Sequence, residues 1–345
     1  MLSIINDIPD FAVSNELNNF SIMVDSELTL EVQHHGSTVW RANYVPDSHN
    51  EVDIIDIFSV LEPFLIESPL QMFSYRLSAA GEAPLSKDFT ILLCRCDVDT
   101  SGSSFVQTHF LTALDGVKIT YRNSREFLYL TSGSTTVGGT VTPQVHCKFV
   151  DANNHLTEQT RALTSVNESG INKIDVAPSL FTLAGSDLVS YTVVAGSRRM
   201  EYRVVEPEFF IGAVIEFRNA FGCMETFSFA GLRTNKPKVE RSAAYFSGVY
   251  HNYHVDTKKH IKVNSAFIPL SMGDFADDLA QSMEIYLLTG REVVPVTIVE
   301  SETDRNNAPD ALFSFSIEFI KSAKNRKLLP ELRRIFDDTF DQTYN

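Results

Sequence analysis

Residues 209–231 read FFIGAVIEFRNAFGCMETFSFAG. Phe209, Ile211, Ala213, Ile215 and Phe217 alternate with their neighbours, and after the break RNAFGCM the alternation resumes at Glu225, Phe227 and Phe229. A period of two puts every second side chain on one face of a strand, so two such runs around an Asn/Gly-containing break predict a β-hairpin with one buried face. Asn219 and Gly222 are the turn-defining residues, because both tolerate the backbone angles that a tight reversal needs. The stretch carries no reactive chemistry. It reads as a device that fixes the fold.

The same patterning extends through the rest of the chain. Downstream lie KHIKVNSAFIPL, a short helix DFADDLAQSM with Phe275, Leu279 and Met283 at helical spacing, and a hairpin EIYLLTGREVVPVTIV turning near Gly290. Ser271 and Asp274 suggest a capping box for that helix. ALFSFSIEFI is an amphipathic strand with Phe313, Phe315, Ile317 and Phe319 on one face. Upstream, residues 116–205 give five further strands around the loop SGSTTVGGTVT, which lacks the Gly-Lys-Ser/Thr ending of a nucleotide-binding loop. Residues 1–115 give short strands at roughly ten-residue spacing and one helical segment, DIIDIFSVLEPFLI, with Asp56 as its cap and Pro63 limiting its length.

The expected class is therefore mainly β, with two or three β-sandwich-like domains, a few short helices and a C-terminal helix. The expected division is an N-terminal sandwich-like domain at 1–115, a middle one at 116–205, a C-terminal β-rich domain with one short helix at 206–327, and a helical tail at 328–345. In the tail, Leu332, Ile335, Phe336 and Phe340 form an apolar stripe after Pro330. A helix of about three turns is too short to be stable alone in water. Its stripe is expected to contact a partner.

Charge narrows the function classes. The chain carries 29 Lys and Arg against 44 Asp and Glu, a net of −15, and residues 1–120 alone hold −12. Such a front third repels phosphate backbones and anionic lipid heads, so no nucleic-acid partner is expected. No run of 18 apolar residues occurs, so no membrane insertion through a helix is expected. The N-terminus lacks the basic start of a secretory signal. Four cysteines without framework spacing read as free thiols.

Catalytic and metal motifs are sparse. His251, His254 and His260 in HNYHVDTKKH are candidate ligands with Asp256, but residues i and i+3 of a strand face opposite ways, so they read as isolated surface imidazoles. Cys94 and Cys96 supply too few ligands and read as a pair of core thiols. No Gly-x-Ser-x-Gly elbow is present. Asp277 and Asp278 are adjacent on a helix, hence on different parts of its surface. No catalytic residue, cofactor or metal is expected.

IEFRNAFGCMETFSFAG, followed by YHVDTKKHIKVNSAFIPLS, a short helix and SMEIYLLTGREVVPVTIVES, resembles a segment order of virion and tail (baseplate-type) proteins of phages and prophages of Bacteroidetes. VWRANYVPDSHNEVDIIDIFSVLEPFL resembles an N-terminal module of such proteins, whereas 116–205 is largely uncovered. The resemblance implies a non-enzymatic structural component of a phage tail, baseplate or related particle, assembled in the bacterial host cytoplasm. Its partners would be itself, in a symmetric ring, and other virion proteins. The alternative is a receptor- or carbohydrate-binding, adhesin-like module on the same sandwiches. One Trp in the chain counts mildly against sugar binding.

Overall fold

A computed structural model of the chain describes residues 1–17, 20–55, 57–136, 138–206, 211–290, 292–304 and 312–322. Strands hold 57% of the described residues and helices 12%, so the chain is mainly β, built of several sheets with few helices. Phe209 of the opening stretch, the cap candidate Asp56 and the tail 328–345 lie outside the described residues.

The N-terminal part contains β1 (Leu2–Asn6), β2 (Phe11–Val13), β3 (Phe20–Val24), β4 (Leu28–His34), β5 (Ser37–Tyr44), β6 (Glu51–Ile54), α1 (Ile57–Glu67), β7 (Leu70–Ala79) and β8 (Leu85–Leu92). A three-stranded sheet β1-β3-β6 faces a five-stranded one, β2-β8-β7-β4-β5. Alternation drives the packing: Phe20, Ile22 and Val24 of β3 and Leu28, Leu30 and Val32 of β4 are buried in one core with Phe73, Tyr75 and Phe89. Pro63 does not limit α1, which runs four residues past it. Proline removes one helical N–H, but Ile57, Leu61 and Leu65 bury one stripe against the sheets and hold the helix together.

After α2 (Gly102–Thr108), the middle part contains β9 (Val117–Tyr121), β10 (Phe127–Leu130), β11 (Thr140–Val141), β12 (Gln144–Asp151), β13 (Leu156–Ala162), β14 (Val166–Asn167), β15 (Asn172–Asp175), β16 (Ser186–Ala195) and β17 (Arg198–Val205). A five-stranded sheet β13-β12-β16-β17-β9 is joined by the pairs β10-β15 and β11-β14. Val145, Cys147 and Phe149 alternate into the core with Tyr191 and Tyr202, whose rings stack at 4.6 Å.

The last part contains β18 (Ala213–Arg218), β19 (Met224–Phe229), β20 (Arg233–Phe246), β21 (Val249–Pro269), α3 (Gly273–Gln281), β22 (Ile285–Thr289), β23 (Glu292–Asp304) and β24 (Leu312–Lys321) in one seven-stranded sheet, β19-β18-β22-β23-β24-β21-β20. β18 and β19 pair from Ala213↔Phe229 to Arg218↔Met224, so the hairpin read from the opening stretch forms. β19 passes into β20 through 230–232, where Gly231 N–H donates to Asn264 O and Asn264 N–H donates to Leu232 O. These bonds carry the β20–β21 ladder back to the end of β19. A Cβ at Gly231 would meet Asn264 O at 2.7 Å, so only glycine allows that approach. Phe227 and Phe229 then pack on Phe315, and Phe275 of α3 packs on Phe217 and Phe227.

Two local expectations fail at α3. Ser271 caps nothing and donates instead to Val117 O at 3.1 Å, tying the third part to β9. Met283 lies beyond the helix end and is exposed, while Phe275 and Leu279 are fully buried. The hydrophobic core of the middle part continues without a break into that of the third.

Candidate functional site

The turn of the opening hairpin is buried, which is uncommon for a turn because its backbone polar groups must then be paired within the protein. Asn219, Ala220, Phe221, Gly222 and Cys223 are all inaccessible, in a cluster that draws Val13, Leu70, Leu92 and Cys94 from the first part and Val106, Leu111 and Tyr129 from around the middle one. Gly222 takes φ = +74°, and its Cα faces Pro69 and Leu93. Asn219 works through its side chain: Oδ1 accepts from the N–H groups of Phe221 (3.0 Å) and Cys223 (2.8 Å), and Nδ2 donates to Leu111 O (2.8 Å) and Glu225 Oε2 (2.7 Å). The carboxamide thus replaces the water that a surface turn would use.

Beneath the turn lie further buried polar groups. Lys118 sits 2.8 Å from Glu126 Oε2, donates to Thr226 O at 3.1 Å, and lies 4.4 Å from the centre of the Phe275 ring. Burial pushes the Glu225 carboxyl up to about 7, against the opposing pull of Lys118 and Asn219. Asp278 is pushed up to about 6 by burial, although Ala220 N–H donates to it at 3.1 Å.

A cleft of about 790 Å³ opens beside this junction. Asp97, Asp99 and Asp115 line it from the first part, and Asp274, Asp277 and Asp278 from α3. Asp277 and Asp278, expected on different surfaces of the helix, share this one cleft. Arg95 also lines it but donates to Glu62 Oε1 at 2.9 Å, so the cleft is strongly acidic. Cys96 borders it as well. Its thiol lies 3.7 Å from that of Cys94, past the end of β8 rather than on a strand. The hydrogen bond between the two thiols lowers Cys94 and raises Cys96 well above its ordinary value. All four cysteines are free.

The opposite end of the third part carries a different feature. β24 pairs with β21 only from His260 onward, so among the described residues Pro237–246 and 249–Lys259 pair with each other alone. They form a two-stranded arm of about ten residues, roughly 33 Å long at ~3.3 Å per residue. Ser247 (φ = +52°) and Gly248 (φ = +81°) close it as a two-residue turn of the kind that matches strand twist. Val239, Tyr245, Val249, Tyr250, Tyr253 and Val255 are all exposed on it, Tyr250 to 74%. Pro237 stands on the free edge strand, where its missing N–H breaks no ladder.

The histidines separate. His251 and His254 are exposed on the arm, but His260 is buried at its base, with Nδ1 2.5 Å from Glu318 Oε1. It is therefore an internal polar contact, not a surface imidazole. Among the described residues no three His, Cys, Asp or Glu side chains are grouped to hold a metal ion. No described helix is long and apolar enough to cross a membrane. The partner-contact candidates Leu332, Ile335, Phe336 and Phe340 lie outside the described residues. Sequence reasoning missed the arm and the cleft. The long run of polar, β-compatible residues 233–263 around Ser247-Gly248 was the available signal for the arm.

No family profile matches the chain, and no curated protein does. Among solved structures, the chain is similar to one concerning host cell surface retention of a 1.5-MDa bacterial ice-binding adhesin. That match has 11% identity and a TM-score of 0.17, and covers 77% of this chain and 92% of the other. A complex of Dpr2 Ig1-Ig2 with DIP-Theta Ig1-Ig3 matches at 9% identity and a TM-score of 0.19, covering 94% and 90%. A Ca2+-stabilized adhesin that helps an Antarctic bacterium bind ice matches at 10% and 0.14, covering 93% and 97%. At TM-scores this low none of the three defines a shared fold.

Proposed function

We propose that this chain is a non-enzymatic structural subunit that acts by docking on other proteins, as a component of a phage tail, baseplate or related particle. The observation that carries this reading is the arm. A lone two-stranded ribbon is marginally stable in water. This one nevertheless leaves six large apolar or aromatic side chains exposed, and Tyr245 and Tyr250 pack only on each other's edge among the described rings. Side chains of that kind are what protein interfaces cover. The buried turn supports the same reading, since it locks three parts of the chain together at the other end and gives the arm a firm base.

The three tyrosines near the tip favour a second reading, a receptor- or glycan-binding module, because exposed aromatic rings suit sugar faces. Mass spectrometry of sedimented particles from the organism that encodes the chain separates the two. Recovery of the chain in the particle fraction, in fixed ratio to other virion proteins, supports the first. A chain found only outside particles overturns it, and glycan-array binding lost on Tyr250→Ser and Tyr253→Ser then establishes the second.

A further inference from the structure

We infer that the arm docks on a second copy of this chain, at the acidic end where the cleft opens. The inference rests on the assembly reading above and names its partner. Residues 236–259 carry Lys236, Lys238, Arg241, Lys258 and Lys259 against Glu240 and Asp256, a net of +3 in a chain whose total is −15. The cleft presents six aspartates, and its one arginine is already paired with Glu62. Arm and cleft are thus complementary in charge, which steers and orders encounters between copies.

The register of the arm points the same way. Lys238 stands directly opposite Lys258, and Glu240 directly opposite Asp256. Like charges directly across a ladder destabilise it. Glu318 Oε1, 3.9 Å from Lys238 Nζ, offsets part of the lysine repulsion from within the chain, and Lys258 gains from carboxylates brought in by a neighbour. Near the tip the bulge at Tyr253 breaks the register between Ser242 and Ala243, and Tyr245 and Tyr250 meet edge to face there at 5.0 Å. The tip therefore offers an aromatic cluster beside a basic stem.

Topology excludes contact within one chain. From the buried turn, β19 and β20 carry the chain toward the arm tip, and β21 returns it to α3 beside the cleft. The arm leaves by one end of the sheet and the cleft opens at the other. Contact between two copies is then heterologous, arm to cleft, and each copy keeps one of each free for the next. Repetition of such a contact gives a ring if the rotation closes and a filament if it does not.

Sedimentation of the full chain over a range of concentration, at low and high salt, tests the inference with three variants. R241E/K258E/K259E reverses the arm, D97K/D99K/D115K reverses exposed positions of the cleft, and the third combines all six. Thermal unfolding checks that each variant folds. The expected result is salt-sensitive self-association of the wild type, weakened about a hundredfold by either reversal alone and restored to within about tenfold by the combination. A wild type that stays monomeric throughout overturns the inference. So does loss of association on reversing the arm but not the cleft, or a combination that fails to restore it. If the chain is still recovered in particles, those results leave the assembly reading standing.

Discussion

Replacing Gly222 with alanine tests how the three parts are held together. Two costs add at this position. An L residue at φ = +74° is strained by about 1–2 kcal/mol. The new Cβ would also stand 2.4 Å from Pro69 Cγ and 3.3 Å from Leu93 Cδ2, and Pro69 is too rigid to move aside cheaply. Overpacking of this kind costs about 1–3 kcal/mol. Together they predict a loss of about 2–5 kcal/mol. At ~2.1 cal/mol/K per residue, the unfolding entropy of a chain of this length converts each kcal/mol to about 1.4 °C, so Tm falls by about 3–7 °C. Gly81→Ala supplies the control: its φ is +79°, and nothing lies within 4 Å of the added Cβ. That variant carries the conformational cost alone, roughly 2 °C. Limited proteolysis should show Gly222→Ala, and not Gly81→Ala, opening between residues 93 and 110. Equal Tm shifts for the two variants would refute the packing of the turn against the first part.

Three further outcomes follow from buried groups and from the tail. Glu225 (about 7) and Asp278 (about 6) have folded values above their ordinary 4.5 and 3.8, so the folded chain holds protons that the unfolded chain releases. Their contribution is complete below about pH 4 and is lost as pH rises through 7, on the order of 3 kcal/mol for Glu225; denaturant unfolding of Glu225→Gln should show a flatter decline from pH 5 to 8 than wild type. Arg198, buried, donates to Val106 O, Thr131 O and Glu168 Oε1 at 2.7–2.8 Å, so Arg198→Met should cost about 3–5 kcal/mol in chemical denaturation and release α2 to faster hydrogen exchange. Removal of residues 328–345 should leave the body folded by circular dichroism while the chain fails to enter its particle; an unfolded truncation would assign the tail to its own core.

What the sequence determined is local. Period-two patterning at 213–217, 225–229 and 313–319 specified strands and their buried faces, because side-chain alternation is a property of each strand alone. Gly222 was legible as a reversal for the same reason, since backbone permissiveness needs no partner. The tertiary structure decided everything that depends on what lies opposite. Alternation says that Phe227 is buried, not that it packs on Phe315, and a turn sequence does not reveal that the turn itself is buried. His260 looked like a surface imidazole until Glu318, 58 residues away, was placed beside it. Lys118 finds Thr226 across 108 residues, and Arg198 finds Val106 across 92. The arm and the cleft are the same lesson at larger scale. Residues 237–259 pair like any hairpin, and only the end of β24 at Lys321 leaves them without a third strand among the described residues. The six aspartates come from loops and a helix that are far apart in sequence, and only the packing of the hairpin turn against the first part gathers their charge in one cleft.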